Sequence, residues 1–159
     1  MTAERLLVAV FASPVSEVLL RWGGELGFRT VLVEPDSGRL PAGTADVTAG
    51  SFAELADELA GGNADVVVTD HHRDELGGLL RDALAGPARW VGVMGNPRQE
   101  GPHVAALTAL GVPPEEIARV HRPIGLDIGS RAPAEIALST LAGLLADRNG
   151  RSGGFAHRG

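Results

Sequence analysis

Polar side chains and glycines that could bind a ligand follow several apolar runs in the sequence. The main segments are residues 69–73, 95–98 and 123–131, and shorter ones lie at 12–17 and 34–36. Backbone N–H groups beside glycine, together with arginine, bind phosphates, whereas histidine and aspartate exchange hydrogen bonds with polar ligands. The candidate cofactor-binding residues are therefore Asp70, His71, His72, Gly95, Asn96, Arg98, Gly125, Asp127 and Gly129.

Residues 92–98, GVMGNPR, combine the end of a strand, a glycine turn and the start of a helix. Free N–H groups near Gly95 and Asn96, with the charge of Arg98, would suit a phosphate. The same residues also fit an ordinary glycine at the end of a strand followed by an asparagine N-cap. The sequence leaves both interpretations open.

Thr69, Asp70, His71 and His72 directly follow another apolar run. Adjacent histidine side chains diverge, and metal-binding histidines on a helix are spaced three or four residues apart, so no metal site is predicted. In one interpretation Asp70 or His71 caps the next helix and the imidazole rings lie at the surface. In the other, this loop contacts a ligand at the edge of a sheet.

The segment 12–17 stands where a dinucleotide-binding fold carries its G-x-G-x-x-G turn. None of the three glycines is present, Pro14 has no N–H, and Glu17 places negative charge in the first helical turn. Glu34 stands where such folds carry the carboxylate that binds ribose. These features favour a capped helix start without a pyrophosphate.

The loop 123–131 has two glycines, Gly125 and Gly129, on either side of Asp127. Glycines at fixed points suggest special dihedral angles or close packing. Asp127 either accepts hydrogen bonds from N–H groups of the loop or faces a ligand. As a lone carboxylate, it forms no acid–base pair.

The composition excludes several classes of chemistry. The 159 residues include no Cys, no Lys and no Tyr, which removes disulfides, thiolate metal sites, cysteine nucleophiles, P-loops and Schiff-base lysines. No Ser–His–Asp order or pair of carboxylates suggests catalysis, so we expect a protein that is not an enzyme. The net charge of −6 predicts no nucleic-acid binding. The early apolar run 6–12 is far below the roughly 20 residues of a membrane span, so we expect no membrane insertion and a cytoplasmic location.

Strands and helices alternate along the chain. Continuous apolar runs predict strands buried on both faces at residues 6–11, 28–33, 64–69 and 89–94, with a short edge strand at 46–48. Capping residues and helical periodicity predict helices at residues 14–26, 51–60, 73–85, 96–110, 114–119 and 133–147. Together they form one domain, residues 1–148, and residues 149–159 are predicted to be a mobile tail.

Several predicted helix ends depend on particular residues. Ser13 is the N-cap and Gly27 the C-cap of the first long helix, Ser51 and Glu54 form a capping box, and Asn96 caps the helix 96–110. The stripe of the first helix that faces the core is predicted to be Val15, Val18, Leu19, Trp22 and Leu26.

The alternation predicts an α/β protein, with a Rossmann-like, doubly wound and mostly parallel sheet that has helices on both faces. In such sheets ligands bind outside the carboxyl ends of the strands, near the point where the strand order reverses. The candidate segments follow strand ends, so we expect them to lie along this edge.

Residues 125–139, GLDIGSRAPAEIALS, resemble the signature of the XdhC/CoxI family, whose pattern is about G-L-D-I-G-[AS]-x-[ST]-P-x-E-I-A-x-S. Residues 92–95 resemble the family's G-x-[IM]-G strand end. Residues 66–72, VVVTDHH, resemble its V-V-x-T-H-D-H segment with Asp and His in changed order. The resemblance extends over residues 5–148 and is to the C-terminal Rossmann domain of that family.

This resemblance implies an accessory or chaperone protein for the maturation of molybdenum hydroxylases of the xanthine dehydrogenase or carbon monoxide dehydrogenase type. The implied ligand is the molybdenum cofactor, molybdopterin, and the implied partner is the apoenzyme. A cysteine desulfurase or a separate N-terminal domain of the XdhC/CoxI family would be a further partner, and a homodimer is also expected. Longer relatives carry that N-terminal domain before the first Rossmann strand, whereas this sequence begins at that strand. A stand-alone Rossmann domain is therefore expected here.

The sequence departs from the family pattern in three places. The G-x-G-x-x-A-like turn is absent, the basic turn G-S-[RK]-[RK] is GNPR at residues 95–98, and the lack of Cys excludes a persulfide. Two alternatives therefore remain. One is an NAD(P)- or nucleotide-binding oxidoreductase, which the missing glycines disfavour, and the other is a ligand-free interaction module of a split maturation factor.

Overall fold

The computed structural model describes residues 4–41, 43, 45–95, 101–129 and 131–155. Within these residues, five parallel strands form one sheet in the order β3-β2-β1-β4-β5. The strands are β1 (Leu6–Val10), β2 (Arg29–Val33), β3 (Val47–Ala49), β4 (Ala64–Val68) and β5 (Trp90–Val93). This confirms the predicted α/β class with a Rossmann-type sheet.

The sheet is buried on both faces because its strands are almost entirely apolar. Side chains on one face of β1 and β4 pack against helices α1 (Pro14–Glu25) and α6 (Pro133–Arg148). Those on the other face pack against α2 (Ala56–Leu59), α3 (Leu76–Ala85), α4 (Pro102–Ala109) and α5 (Pro114–Ile117). At roughly 25 cal/mol per Å² of buried apolar surface, these two layers supply the main driving force for folding.

The strand order reverses between β1 and β4, since the chain leaves β1 towards β2 and later returns to the opposite side of β1. The backbone N–H of Thr69 donates to Val10 O at 3.1 Å, and the N–H of Met94 donates to Val68 O at 2.9 Å. The carboxyl ends of β1, β4 and β5 are therefore held side by side. This is the edge at which ligands of such folds bind.

The first helix keeps its predicted N-cap and most of its predicted core stripe. Ser13 Oγ accepts from the N–H of Ser16, and the C-cap is Leu26, one residue before the predicted Gly27. The buried positions of α1 are Ser16, Leu19, Leu20 and Gly23, whereas Leu26 is 41% exposed. The other predicted residues of the stripe face the core, since Leu19 is fully buried and Val15, Val18 and Trp22 pack half-buried against it. Gly23 also lets Leu7 of the sheet approach the helix backbone closely.

The predicted capping box at Ser51 and Glu54 is wrong. Glu54 accepts from the N–H of Gly50 instead, and the Ser51 side chain makes no capping hydrogen bond. The segment begins as a 3-10 helix, Phe52–Leu55, before α2.

Two further helices begin later than predicted. Helix α3 starts at Leu76 and not at residue 73, since Arg73 forms an ion pair described below. Helix α4 starts at Pro102, because its N-cap Gly101 has an extended backbone, and the predicted start at residue 96 lies outside the described residues. Past α6, the N–H of Arg151 donates to Ala146 O, which ties residues 149–151 to the domain.

None of the described helices has both the length and the apolar composition that a membrane crossing requires.

Candidate functional site

Helix α1 begins at the carboxyl edge, and its first turn is satisfied by its own residues. Ser13 Oγ accepts from the N–H of Ser16 at 3.1 Å, and the N–H of Ser13 donates to Ser16 Oγ at 2.7 Å. The N–H of Glu17 donates to Ser13 O, and Pro14 has no N–H at all. The N–H groups of Ser13, Ser16 and Glu17 are therefore engaged within this turn and are not free to cradle a pyrophosphate.

Phe11 occupies the strand-to-helix corner directly before the segment 12–17, where a dinucleotide-binding fold carries its glycine turn. Its φ of 77° lies in the left-handed region, which costs a bulky residue energy, and its side chain is fully buried. The guanidinium of Arg73 lies over the Phe11 ring, 4.4 Å from its centroid. This cation–π contact and the burial help to hold the strained backbone.

Glu34, at the end of β2, is 1% exposed, and both oxygens of its carboxylate are engaged. Oε1 accepts from the N–H of Ala12 at 3.0 Å and from Arg73 Nη1 at 2.9 Å. Oε2 accepts from the N–H of Asp36 at 2.8 Å and from Arg73 Nη2 at 2.8 Å. Arg73 Nη2 also donates to Glu75 at 2.9 Å.

Burial raises the pKa of Glu34, but hydrogen bonds from Arg73, Asp36 and Ala12 outweigh it and lower this pKa to about 2. Hydrogen bonding to Glu34 raises the pKa of Arg73 more than burial lowers it, so both groups stay charged. The predicted position of Glu34 at the strand end is right. However, the carboxylate that would bind a ribose is already occupied by Arg73, which the sequence placed only at the start of a helix.

Thr69 connects the ends of β1 and β4. Its hydroxyl lies 2.9 Å from Val10 O and 3.1 Å from Phe11 O, and it accepts from Ser13 Oγ at 3.2 Å. Thr69 therefore fixes the corner at the switch point, and its hydroxyl is engaged within the protein.

His71 connects the end of β4 to the end of β5. Its Nδ1 lies 3.0 Å from Met94 O, while Asp70 Oδ1 accepts from the N–H of His72 at 2.8 Å in a tight turn. The rings of His71 and His72 lie 4.0 Å apart. Neither Asp70 nor His71 caps α3, whose N-cap is Glu75, so the capping interpretation is wrong. No group of three metal-binding side chains occurs among the described residues.

At the end of β5, the guanidinium of Arg122 lies against the backbone of Gly95. A Cβ at Gly95 would lie 2.5 Å from Arg122 Nε, so a larger residue there would displace the guanidinium. The Arg122 stem also passes Gly101, and the ring of His103 lies over that glycine. Asn96 and Arg98, the other predicted phosphate contacts, lie outside the described residues.

His103 is 7% exposed, and its Nδ1 is buried without a hydrogen-bond partner among the residues that the structure describes. Burial and, next, the positive charge of Arg122 lower the pKa of His103. An unsatisfied buried nitrogen is costly and usually marks a place for water or an ion. The sequence predicted neither Arg122 nor His103. Arg122 reaches this place because the residue before it, His121, forms an isolated bridge to Gly92 of β5, and no local pattern indicates such a bridge.

The loop after Arg122 packs on α6 rather than around the strand ends. Gly125 has a φ of 88°, and a Cβ there would lie 2.6 Å from Ser139 Oγ, so close packing accounts for this glycine. Gly129 has a φ of 72° in open space, and Asp127 is exposed. Ligand binding by Gly125, Asp127 and Gly129 stays a prediction.

Three comparisons relate the chain to known proteins. The sequence model of the XdhC Rossmann domain matches residues 7–144. The uncharacterized protein YqeB of Escherichia coli (strain K12) is 29% identical in an alignment of 157 positions that covers 94% of this chain and 28% of YqeB. A Bacillus halodurans protein whose crystal structure is described as a xanthine dehydrogenase superposes with a TM-score of 0.75 at 21% identity, over 94% of this chain and 46% of that one. The chain thus spans less than half the length of either relative.

Proposed function

Because the chain belongs to the XdhC family through its Rossmann domain, we propose that it is an accessory protein that binds the molybdenum cofactor and assists its maturation or insertion into a molybdenum hydroxylase. The protein has no catalytic role of its own in this proposal. It works in the cytoplasm, where the apoenzyme receives its cofactor.

The observation that carries the ligand part is the arrangement of Gly95, Arg122 and His103 at the end of β5. The guanidinium of Arg122 supplies a positive charge with a geometry suited to phosphate. The close approach to Gly95 keeps that charge against the strand end, and the ring of His103 packs beside the Arg122 stem over Gly101. The terminal phosphate of molybdopterin is an anion of the right chemistry for this cluster.

The dinucleotide alternative is disfavoured by the arrangement at the switch point. A nicotinamide cofactor needs a free carboxylate for its ribose and free N–H groups for its pyrophosphate. In this chain Arg73 occupies the carboxylate of Glu34, and Ser13 and Ser16 cap one another. The pterin site is therefore proposed on the β4–β5 side of the edge, away from Glu34.

Calorimetric titration with molybdenum cofactor released from a molybdoenzyme tests the proposal. We expect saturable binding to the wild-type chain, at least tenfold weaker binding to Arg122→Gln, and unchanged binding to Arg151→Gln. Arg151 is a matched control because it follows α6 at the opposite, amino edge of the sheet, where Arg148 bonds Asn63. A folded wild-type protein that releases no heat would contradict the ligand part.

The expected partners are a molybdenum hydroxylase apoenzyme and either a cysteine desulfurase or a separate N-terminal domain of the family. Without cysteine, this chain cannot carry a persulfide itself, so sulfur would have to come from a partner. Pull-down of purified apoenzyme by the tagged chain, with and without cofactor, tests the partnership. Binding of the apoenzyme only when cofactor is present would support delivery.

The second candidate function is a ligand-free interaction module, and helix α4 favours it. Residues 102–112 carry no acidic or arginine side chain, and Val104 and Leu110 are 41% and 45% exposed. Exposed apolar residues of this kind are typical of protein contacts. Light scattering of the wild type and Leu110→Glu would show whether this surface forms the expected homodimer.

A further inference from the structure

We propose that His71 is a fixed hydrogen-bond acceptor that selects ligands with an N–H or O–H donor, such as the pterin ring, at the carboxyl edge of the sheet. The inference rests on the proposed function for the identity of the ligand. Its basis is the hydrogen bond that joins His71 to Met94 and the placement of the second ring nitrogen.

The hydrogen bond to Met94 determines which nitrogen of His71 carries the proton. A backbone carbonyl oxygen can only accept, so Nδ1, at 3.0 Å from Met94 O, must be the donor. In a neutral imidazole the other nitrogen, Nε2, then has a lone pair and no proton. The protein therefore presents an acceptor at Nε2.

The ring of His71 is held on both sides. Met94, whose carbonyl receives the hydrogen bond, is itself tied to β4 through its N–H to Val68 O at 2.9 Å. On the other side the turn closed by Asp70 and His72 fixes the backbone next to His71. An acceptor held this firmly loses little entropy when a ligand binds, and such preorganisation increases affinity.

The second nitrogen of His71 is accessible. Among the described residues, the His71 side chain makes one hydrogen bond, through Nδ1. The residue is half-buried, and Nε2 is not fully enclosed by the protein. It follows that Nε2 reaches solvent at the edge where the proposed ligand binds.

The neighbouring polar groups are engaged within the loop or differ in chemistry. The Thr69 hydroxyl is engaged with Val10 and Ser13, and the Asp70 carboxylate accepts from the N–H of His72 through Oδ1. A metal would require further ligands, and the described residues provide no such group. A hydrogen-bond acceptor for an organic donor is the chemistry that remains, and the amide and amino N–H groups of a pterin supply the donor.

Two amide variants separate the two nitrogens. In His71→Asn the amide nitrogen takes the place of Nδ1, so the bond to Met94 is kept and the acceptor is lost. In His71→Gln the amide oxygen can take the place of Nε2, but the bond to Met94 is lost. Asp74→Asn is the control, at an exposed residue of the same loop. The probes are the molybdenum cofactor and neopterin, a pterin without phosphate.

We expect His71→Asn to bind both probes about three- to tenfold more weakly than the wild type, the range of one lost hydrogen bond. His71→Gln should recover part of this loss, and Asp74→Asn should bind as the wild type does. Inorganic phosphate should bind equally to all four proteins. Equal binding of the cofactor and neopterin to His71→Asn and wild type would overturn the inference and leave the proposed function intact.

Nitrogen-15 NMR of the ligand-free protein at about pH 8, where histidine is normally neutral, tests the tautomer without any ligand. The proton of His71 should be found on Nδ1, and a proton on Nε2 would overturn the inference. If wild type binds neither probe, the ligand role of His71 fails with the proposed function. If wild type binds the cofactor but not neopterin, the cofactor is held through its phosphate and the role of His71 alone is overturned.

Discussion

Arg73 places one terminal nitrogen on each carboxylate oxygen of Glu34, at 2.9 Å and 2.8 Å. The two residues come from the ends of β4 and β2, on either side of β1, and the guanidinium crosses above the ring of Phe11. This buried pair therefore joins three strand ends at the point where ligands of dinucleotide-binding folds lie. In this protein a structural ion pair lies at that position.

Removal of Arg73 should destabilise the fold strongly. In Arg73→Met the Glu34 carboxylate would stay buried without its guanidinium, a change that typically costs about 3–5 kcal/mol. Arg81→Met, on the exposed face of α3, should change the free energy of unfolding by less than about 0.5 kcal/mol. Urea unfolding of the three proteins measures both values. Equal loss in the two variants would show that the pair contributes nothing specific.

The pair should also make stability depend on pH in acid. The pKa of Glu34 is about 2 in the folded protein, against 4.5 for the free side chain. The stabilisation is complete above pH 4.5 and is lost as the pH falls towards 2, and its size is about 3 kcal/mol. The glutamine in Glu34→Gln cannot titrate. The free energy of unfolding of the wild type should therefore exceed that of this variant above pH 4.5, and the difference should disappear as the pH falls to 2. A difference that stays constant with pH would contradict the lowered pKa.

The wild-type chain should not bind NADH. The carboxylate that would bind a ribose is saturated by Ala12, Asp36 and Arg73, and a ligand hydroxyl would have to displace one of these donors. Fluorescence titration of NADH should give a linear signal without saturation. Saturable binding would revive the oxidoreductase alternative and would mean that Arg73 leaves Glu34 when the cofactor arrives.

The fold could be predicted from the sequence because its determinants are local. The apolar runs around Val8 and Val67 have no alternation, which only a strand covered on both faces accommodates. Ser13 marks the start of α1 through a hydrogen bond within four residues. By contrast, the start of α3 depended on Arg73, whose partner Glu34 lies 39 residues away. Only the strand order brings these two residues together.

The candidate site could be predicted only in part for the same reason. The position of His71 at a strand end follows from the run that precedes it, but its bond to Met94 requires β4 and β5 to be neighbours. Arg122 reaches Gly95 because the chain returns beside β5 at His121. An isolated bridge of this kind has no sequence pattern, so neither Arg122 nor His103 could be identified beforehand.

If the chain binds the molybdenum cofactor as proposed, Gly95→Ala should weaken that binding while the fold is retained. The added methyl group would overlap the guanidinium of Arg122, with 2.5 Å between Cβ and Nε, and the guanidinium must move. We expect at least a tenfold increase in the dissociation constant. Gly61→Ala is the control, because a Cβ there has no neighbour within 4 Å. Unchanged affinity in folded Gly95→Ala would show that the cofactor does not depend on the position of Arg122.

The adjacent glycines of α3 should respond in opposite ways to alanine. Glycine inside a helix costs about 0.5–1 kcal/mol relative to alanine. A Cβ at Gly78 meets nothing within 4 Å, so Gly78→Ala should gain that amount in the free energy of unfolding. A Cβ at Gly77 would lie 3.2 Å from Ala106 Cβ and 3.2 Å from Leu110 Cδ1, so α4 would have to move and the gain should vanish or reverse. Thermal and urea unfolding of the two variants measure the difference. Equal stabilisation by both would mean that α4 yields freely, and that the close packing of α3 on α4 at Gly77 contributes little to stability.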